Sequence, residues 1–147
     1  MTEASAQQPS VPLHAPATAA DVMRPALTTV EPNDHVAAAA YLMRHAGATA
    51  LIVVDDEEAK RPTGLITDTD IVEAVADGKD VNEIRIHDLM TKTLKVIDAT
   101  TSIPDAARTM LSGRFRHLPV VGGNGALLGV VDISDVCGAL LDIGDAD

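Results

Sequence analysis

Two stretches of similar sequence decide the fold of this chain: Gly64-Leu-Ile-Thr-Asp-Thr-Asp-Ile-Val72 and Gly129-Val-Val-Asp-Ile-Ser-Asp-Val-Cys137. In each stretch a glycine precedes a short run of aliphatic residues, which indicates a strand. A polar residue then stands three positions before an aspartate, a spacing that is typical of the first turn of a helix. The same strand-to-helix turn is therefore predicted at two places in the chain.

The two turns belong to an internal repeat. Asp21-Val-Met23 aligns with Asp88-Leu-Met90 at an offset of 67 residues (88 − 21). The glycines that open the two turns are 65 residues apart (129 − 64), because the charged loop of the first copy is two residues longer. Both copies read strand–helix–strand–strand–helix, which indicates a duplication. Each half is too small to bury its sheet alone, so we expect a shared core with two related clefts between the copies.

The composition limits the kinds of function. The chain has 147 residues, of which 46% are hydrophobic and 1% aromatic, so the predicted core is aliphatic. The formal net charge of −11 disfavours nucleic acid and membrane surfaces as partners. A single cysteine excludes an intrachain disulfide, and no Cys and His cluster predicts a metal site. Because no apolar run approaches the roughly 18 residues of a membrane span and no signal peptide is recognised, we expect a soluble, cytoplasmic protein.

Local signals predict the domain boundaries and two further details. In chain order, we expect a disordered tail at 1–18, a first repeat at 19–80, a second repeat at 81–142 and a C-terminal tail at 143–147. The tail is predicted because its Ala-, Pro-, Ser- and Thr-rich sequence has no hydrophobic periodicity. Asn33 or Asp34 is predicted to cap the first long helix. Cys137 is predicted to be a buried, small apolar residue of the last helix.

The spacing of Thr67 and Asp70 allows two interpretations. It is a capping-box pattern, in which the two side chains satisfy backbone N–H groups at a helix start. It also places a hydroxyl, free backbone N–H groups and a carboxylate at the edge of a cleft. There the carboxylate can accept the hydroxyls of a ribose, and the amides favour phosphate. The spacing alone favours capping, and its recurrence in both copies favours a ligand.

The duplicated pattern resembles a tandem pair of CBS domains, often called a Bateman module. The resemblance covers residues 19–142 and rests on Asp-Val-Met-Arg24 and Asp-Leu-Met-Thr91 at the repeat starts, on Arg116-His-Leu-Pro-Val-Val121, and on the Gly64–Asp70 turn. It implies an α/β (α+β) fold of two β-α-β-β-α repeats packed with pseudo-two-fold symmetry, usually in a homodimer. It also implies a regulatory module that binds an adenosine-containing ligand (AMP, ADP, ATP or S-adenosylmethionine) and signals in trans to an unknown protein effector. No cofactor is required.

The resemblance implies a role for each position that matches the motifs of the family. By this resemblance, Asp70 and Asp135 would bind the ribose hydroxyls, and Thr67 would contact the ribose or the phosphate. Thr29 and Val96 would flank the adenine. Arg116 and His117 would contact the phosphates. Asp132 stands at the binding position where the family has Ser or Thr, and it adds a negative charge beside any phosphate. We therefore expect unequal clefts, the better one containing Asp70. The sequence leaves open whether Arg116 and His117 serve that cleft, the other one or the ligand of a partner chain.

An enzymatic function is not expected. No Ser–His–Asp or Cys–His constellation is recognised, and Gly122-Gly-Asn-Gly125 is predicted to be a hairpin turn, since no helix follows it. The alternative to a ligand sensor is a structural adaptor that keeps the fold and binds a protein partner without any ligand. Asp132 and the apolar stretch Ala50–Ile52 favour this alternative.

Overall fold

The computed structural model describes residues 18–92 and 95–145, and it describes side chains up to residue 142. Residues 1–17 of the predicted N-terminal tail and residues 146–147 of the predicted C-terminal tail lie outside these residues, whereas 143–145 form the end of α5. The helices are α1 (Ala19–Val22), α2 (Val36–Ala46), α3 (Asp68–Ala76), α4 (Ile103–Gly113) and α5 (Ile133–Asp145). The strands are β1 (Arg24–Pro25), β2 (Thr29–Val30), β3 (Ala50–Val54), β4 (Pro62–Thr67), β5 (Ile97–Asp98), β6 (His117–Val121) and β7 (Leu127–Asp132).

Each repeat builds its sheet in the same way. The hairpin β3–β4 is antiparallel, and β2 lies parallel to β3 on its other side. In the second repeat, β6–β7 forms the hairpin and β5 lies parallel to β6. The central strands β3 and β6 are largely buried, as expected for continuous apolar runs. The predicted α/β class and the order of elements in each repeat are confirmed.

The opening segment of each repeat crosses to the sheet of the other. Strand β1 pairs antiparallel with β7, and Thr91 bridges to Leu65 in the equivalent place. A Cβ atom at Gly129 would lie 2.6 Å from the carbonyl oxygen of Arg24, and one at Gly64 would lie 2.8 Å from that of Thr91. A glycine therefore opens each turn because another backbone segment passes directly over it.

The core is aliphatic and is shared by the repeats. One cluster contains Leu51, Val53 and Ile66 of the first repeat together with Ile86, from the start of the second. The other large cluster contains Leu118 and its neighbours in the second repeat together with Ala19, from the start of the first. A third group joins the two sheets, formed by Ile52, Val54 and Leu127. Burial of a large aliphatic side chain contributes roughly 1.5–3 kcal/mol, so the exchange of segments ties the stability of each repeat to the other.

Two sequence predictions of detail are wrong. The N-cap of α2 is His35, because the carboxylate of Asp34 accepts the N–H of Glu31 at 2.9 Å and closes the preceding turn instead. Cys137 is exposed. The buried face of α5 carries Val136 and Ala139, and the residue after Val136 points about 100° away from it.

Candidate functional site

A cleft of about 630 Å³ lies between the start of α3 and the loop that leads into β6. The first repeat contributes Thr49, Leu65, Thr67, Asp68 and Thr69. The second repeat contributes Thr91, Lys95, Arg114, Phe115, Arg116 and His117. This volume lies in the range of pockets that hold small ligands. Thr67, Arg116 and His117, which the sequence predicts as binding residues, are therefore brought together from opposite repeats.

The turn at Thr67 is a complete capping box. The Asp70 N–H donates to Thr67 Oγ1 at 3.2 Å, and the Thr67 N–H donates to Asp70 Oδ2 at 2.9 Å. The predicted capping interpretation is confirmed. Asp70 is partly buried and does not line the cleft, because its carboxylate turns back toward the backbone of Thr67.

The sequence expectation of free N–H groups at this helix start is wrong. The N–H of Asp68 donates to the carbonyl oxygen of Thr49 at 2.9 Å, and the N–H of Thr69 donates to Asp68 Oδ1 at 2.8 Å. With the N–H of Asp70 bound to Thr67, the amides of the first turn all have partners within the protein. An anion in this cleft would therefore depend mainly on the cationic side chains around it.

Cations outnumber acids along the cleft. Among the described residues, its lining contains Lys95, Arg114 and Arg116 against one carboxylate, that of Asp68, in a chain whose net charge is −11. The local excess of positive charge attracts small anions, whereas the negative charge of the surrounding surface repels extended polyanions. Sequence reasoning missed Lys95, which lies outside every motif and reaches the cleft only through the fold.

His117 adds a neutral hydrogen-bonding group to these cations. Burial lowers the pKa of His117 below its ordinary value, and the charge of Arg116 lowers it further. The carboxylates of Asp132 and Asp68 oppose this shift. At neutral pH the imidazole is therefore uncharged and can donate or accept one hydrogen bond toward the cleft.

The equivalent turn of the second repeat is capped by an aspartate. Asp132 Oδ1 accepts the N–H of Ser134 at 2.7 Å and that of Asp135 at 3.3 Å. The second of these bonds corresponds to the one from the Asp70 N–H to Thr67 Oγ1 in the first repeat. Burial raises the pKa of the Asp132 carboxyl, but the hydrogen bond from the Ser134 hydroxyl, the two backbone hydrogen bonds and the nearby His117 outweigh it and lower the pKa overall. Asp132 is thus an ionised cap, opposite His117 in the register of β6 and β7.

Asp135 is occupied by an arginine of the first repeat. The Arg24 side chain donates from Nη2 to Asp135 Oδ1 at 2.9 Å and from Nε to Oδ2 at 3.1 Å. The Asp135 side chain retains 14% exposure and Arg24 retains 70%, so the guanidinium covers the carboxylate from the solvent side. The pair raises the pKa of Arg24, first through the hydrogen bond and then through the charge of Asp135. Asp135 lines a second, smaller hollow of about 300 Å³ beside α5.

The remaining predicted site residues lie apart from the large cleft. Thr29 is half-buried in β2, and Val96 is 36% exposed just before β5. Among the described residues, neither of them lines the cleft, nor do Asp70, Asp132 and Asp135. The structure therefore brings the residues predicted to contact phosphate together and leaves Thr29, Val96, Asp70 and Asp135 outside the lining of the cleft.

The described part of the chain lacks two further kinds of feature. Within residues 18–92 and 95–145, no group of three or more His, Cys, Asp or Glu side chains is arranged to hold a metal ion. In the same residues, no helix has the length and apolar character needed to cross a membrane.

Comparison with known proteins identifies the repeats. A family model for the CBS domain matches residues 19–77 and 86–142. The chain is 40% identical over 114 residues to a 17.7 kDa protein of Acidianus ambivalens, covering 78% of this chain and 67% of that protein. It spans 59% and 16% of the lengths of the next two curated relatives, which therefore extend beyond the matched part.

Solved structures agree with this match. CBSX2 of Arabidopsis thaliana, crystallised in complex with AMP, superposes with a TM-score of 0.70 at 31% identity, covering 86% of this chain and 98% of that chain. A hexameric CBS-CP12 protein from bloom-forming cyanobacteria superposes with a TM-score of 0.73 at 30% identity, covering 82% and 70%. The predicted resemblance and the predicted fold are thereby confirmed.

Proposed function

Because the chain belongs to the CBS-domain family, we propose that it is a regulatory module that binds an adenosine-containing ligand in the cleft between its repeats, which we place at 19–80 and 81–142. The observation that carries this proposal is the meeting of Thr67 with Arg116 and His117 across that cleft. The AMP complex of the similar protein CBSX2 supports an adenylate as the ligand. No enzymatic activity is proposed.

The cations of the cleft suit the phosphate end of such a ligand. Lys95, Arg114 and Arg116 would bind the phosphate oxygens by charge-assisted hydrogen bonds, and His117 would add a neutral one. A phosphorylated ligand (AMP, ADP or ATP) is therefore favoured over S-adenosylmethionine, whose sulfonium is cationic.

Asp70 would hold the ribose without losing its structural role. A carboxylate offers about four acceptor sites, so Asp70 can keep the N–H of Thr67 and accept two ribose hydroxyls. Thr29 and Val96 would flank the adenine at the border of the cleft. Of the two turns, that of Asp70 is the better candidate because Asp132 adds charge and Asp135 is already paired.

Ligand binding would act on a protein effector in trans. A ligand shifts a conformational equilibrium only through its different affinity for the two states. Binding in a cleft that both repeats form would favour the state in which they are closest. We propose that the module works as a homodimer, because the outer faces of α3 and α5 expose apolar side chains: Val72 at 65%, Val75 at 57% and Leu141 at 68%. We also propose a cytoplasmic location.

The proposal is tested by thermal unfolding with AMP, ADP, ATP and S-adenosylmethionine. A ligand at 100 times its Kd stabilises the folded state by about 2.7 kcal/mol, which is a rise of roughly 10 °C in Tm for a chain of this size. Asp70→Ala and Arg116→Ala should each abolish most of the rise. Asp105→Ala and Arg108→Ala, matched charges that pair with each other on exposed α4, should leave it unchanged. No rise with any of the four ligands at millimolar concentration would refute the proposal.

The alternative is a structural adaptor that binds its partner without a ligand. The fold favours this reading at one point, because the first-turn amides of α3 and the Asp135 carboxylate are already satisfied within the protein. An adaptor would show no Tm rise with the adenosine ligands, and its affinity for a captured partner would not change when they are added.

A further inference from the structure

We propose that the Arg24 side chain occupies the position beside Asp135 where a second ribose would bind, so that each chain binds one adenosine ligand instead of two. The inference rests on the proposed function and concerns the number of sites rather than their existence. Arg24 has this role because of its contacts with Asp135, and because the matched position of the first repeat holds a threonine instead of an arginine.

The acceptor sites of Asp135 are used by the protein itself. Oδ1 accepts from Nη2 and Nε of Arg24, at 2.9 and 3.3 Å, and Oδ2 accepts from Nε at 3.1 Å and from the Asp132 N–H at 3.3 Å. The guanidinium fork matches the carboxylate in a bidentate pair, which is the strongest geometry available to these groups. A ribose reaches Asp135 only after Arg24 leaves.

The position of Arg24 is fixed by the backbone. Its segment is paired with β7, with Arg24 opposite Val130, and its carbonyl passes directly over Gly129. The backbone of Arg24 is therefore held at a position from which its side chain reaches Asp135. This anchoring reduces the conformational entropy that the pair loses on forming, in contrast to an ion pair between two mobile surface side chains.

The first repeat has the same backbone crossing but a different side chain. At the offset of 67 residues, the equivalent of Arg24 is Thr91, which bridges to Leu65 over Gly64. The hydroxyl of a threonine is too short to fork onto Asp70, which is bound to the capping residue Thr67. Thr91 also lines the large cleft, so that this side of the module stays open. The two repeats thus differ at one matched position in whether their ribose aspartate is covered.

Equilibrium dialysis with radiolabelled AMP counts the sites. The wild-type chain should bind one AMP. Arg24→Thr and Asp132→Thr each copy the first-repeat residue into the second, and the double variant should bind two. Asp132→Thr alone should remain at one, since Arg24 still covers Asp135. Arg24→Gln with Asp132→Thr provides a second test if the first double variant does not fold, because the amide cannot make the forked pair.

Each outcome decides the inference. Two sites in the double variant and one in Asp132→Thr would support it. Two sites in the wild type, two in Asp132→Thr alone, or one in both folded double variants would overturn the inference and leave the proposed function standing. If no variant binds AMP and none of the ADP, ATP or S-adenosylmethionine controls binds either, both the proposed function and the inference fail.

Discussion

Replacing Gly129 with alanine tests the feature that organises the whole module. Gly129 stands in β7 where the segment of the first repeat crosses the sheet of the second. An added Cβ would lie 2.6 Å from the Arg24 carbonyl oxygen and 3.0 Å from Met23 Sδ. Since the first of these neighbours is backbone, a rotamer change cannot relieve the overlap.

The structure gives the size of the effect. A relaxed carbon–oxygen contact needs at least 3.4 Å, so the two paired strands would have to separate by about 0.8 Å (3.4 − 2.6). Overpacking of this kind costs about 1–3 kcal/mol in free energy of unfolding, or roughly 4–12 °C in Tm at this chain length. Gly138→Ala is the matched control. It lies inside α5 with no atom within 4 Å of the new methyl group, and it should stabilise the fold by about 0.5–1 kcal/mol.

Urea unfolding followed by circular dichroism measures both variants. A lower free energy of unfolding for Gly129→Ala and a higher one for Gly138→Ala would support the crossing geometry. A Gly129→Ala protein at least as stable as the wild type, with Gly138→Ala behaving as expected, would refute it.

Three further predictions concern pH, capping and association. Burial lowers the pKa of His117 below its ordinary 6.5, so as the pH falls this imidazole is protonated in the unfolded chain before it is in the folded one. The free energy of unfolding should therefore fall as the pH drops from about 7.5 to about 5.5, and it should fall less in His117→Gln. Ser102→Ala should cost about 1 kcal/mol in urea unfolding, because Ser102 Oγ accepts the N–H of Asp105 at 3.1 Å at the start of α4, and an unchanged midpoint would rule out this cap. Leu141→Asp on α5 should convert a homodimer to monomer in light scattering, and a dimer that survives it would place the interface elsewhere.

The sequence was sufficient for most features that depend on neighbours along the chain, although it misplaced the N-cap of α2. The strand-to-helix turns were predicted because glycine, aliphatic run and capping pair lie within nine residues. The hairpin at Gly122–Gly125 was predicted from its Asn-Gly pair, and it joins β6 to β7 with Gly125 at φ 82°. The offset between the copies predicted that both sheets have the same topology.

Features that depend on the crossing of the repeats were not predictable in this way. Arg24 and Asp135 are 111 residues apart, and only the exchange of segments brings them together. The packing of the two repeats places Arg116 and His117 in one cleft with Thr67, a choice that the sequence left open. The amides of α3 were expected to be free because a helix start viewed alone has unpaired donors, and the carbonyl of Thr49 supplies the missing partner.

The proposed function places an adenylate between the repeats, with its phosphates near Arg116 and its ribose near Asp70. The most direct measurement is a crystal structure of the protein with 8-bromo-AMP, in which anomalous scattering locates the bromine on the base. We expect one bromine per chain at the border of the cleft lined by Thr67 and Arg116, with the phosphate facing Lys95 and Arg114. Bromine beside Asp135 with Arg24 still in place, or well-ordered ligand outside the cleft alone, would contradict it.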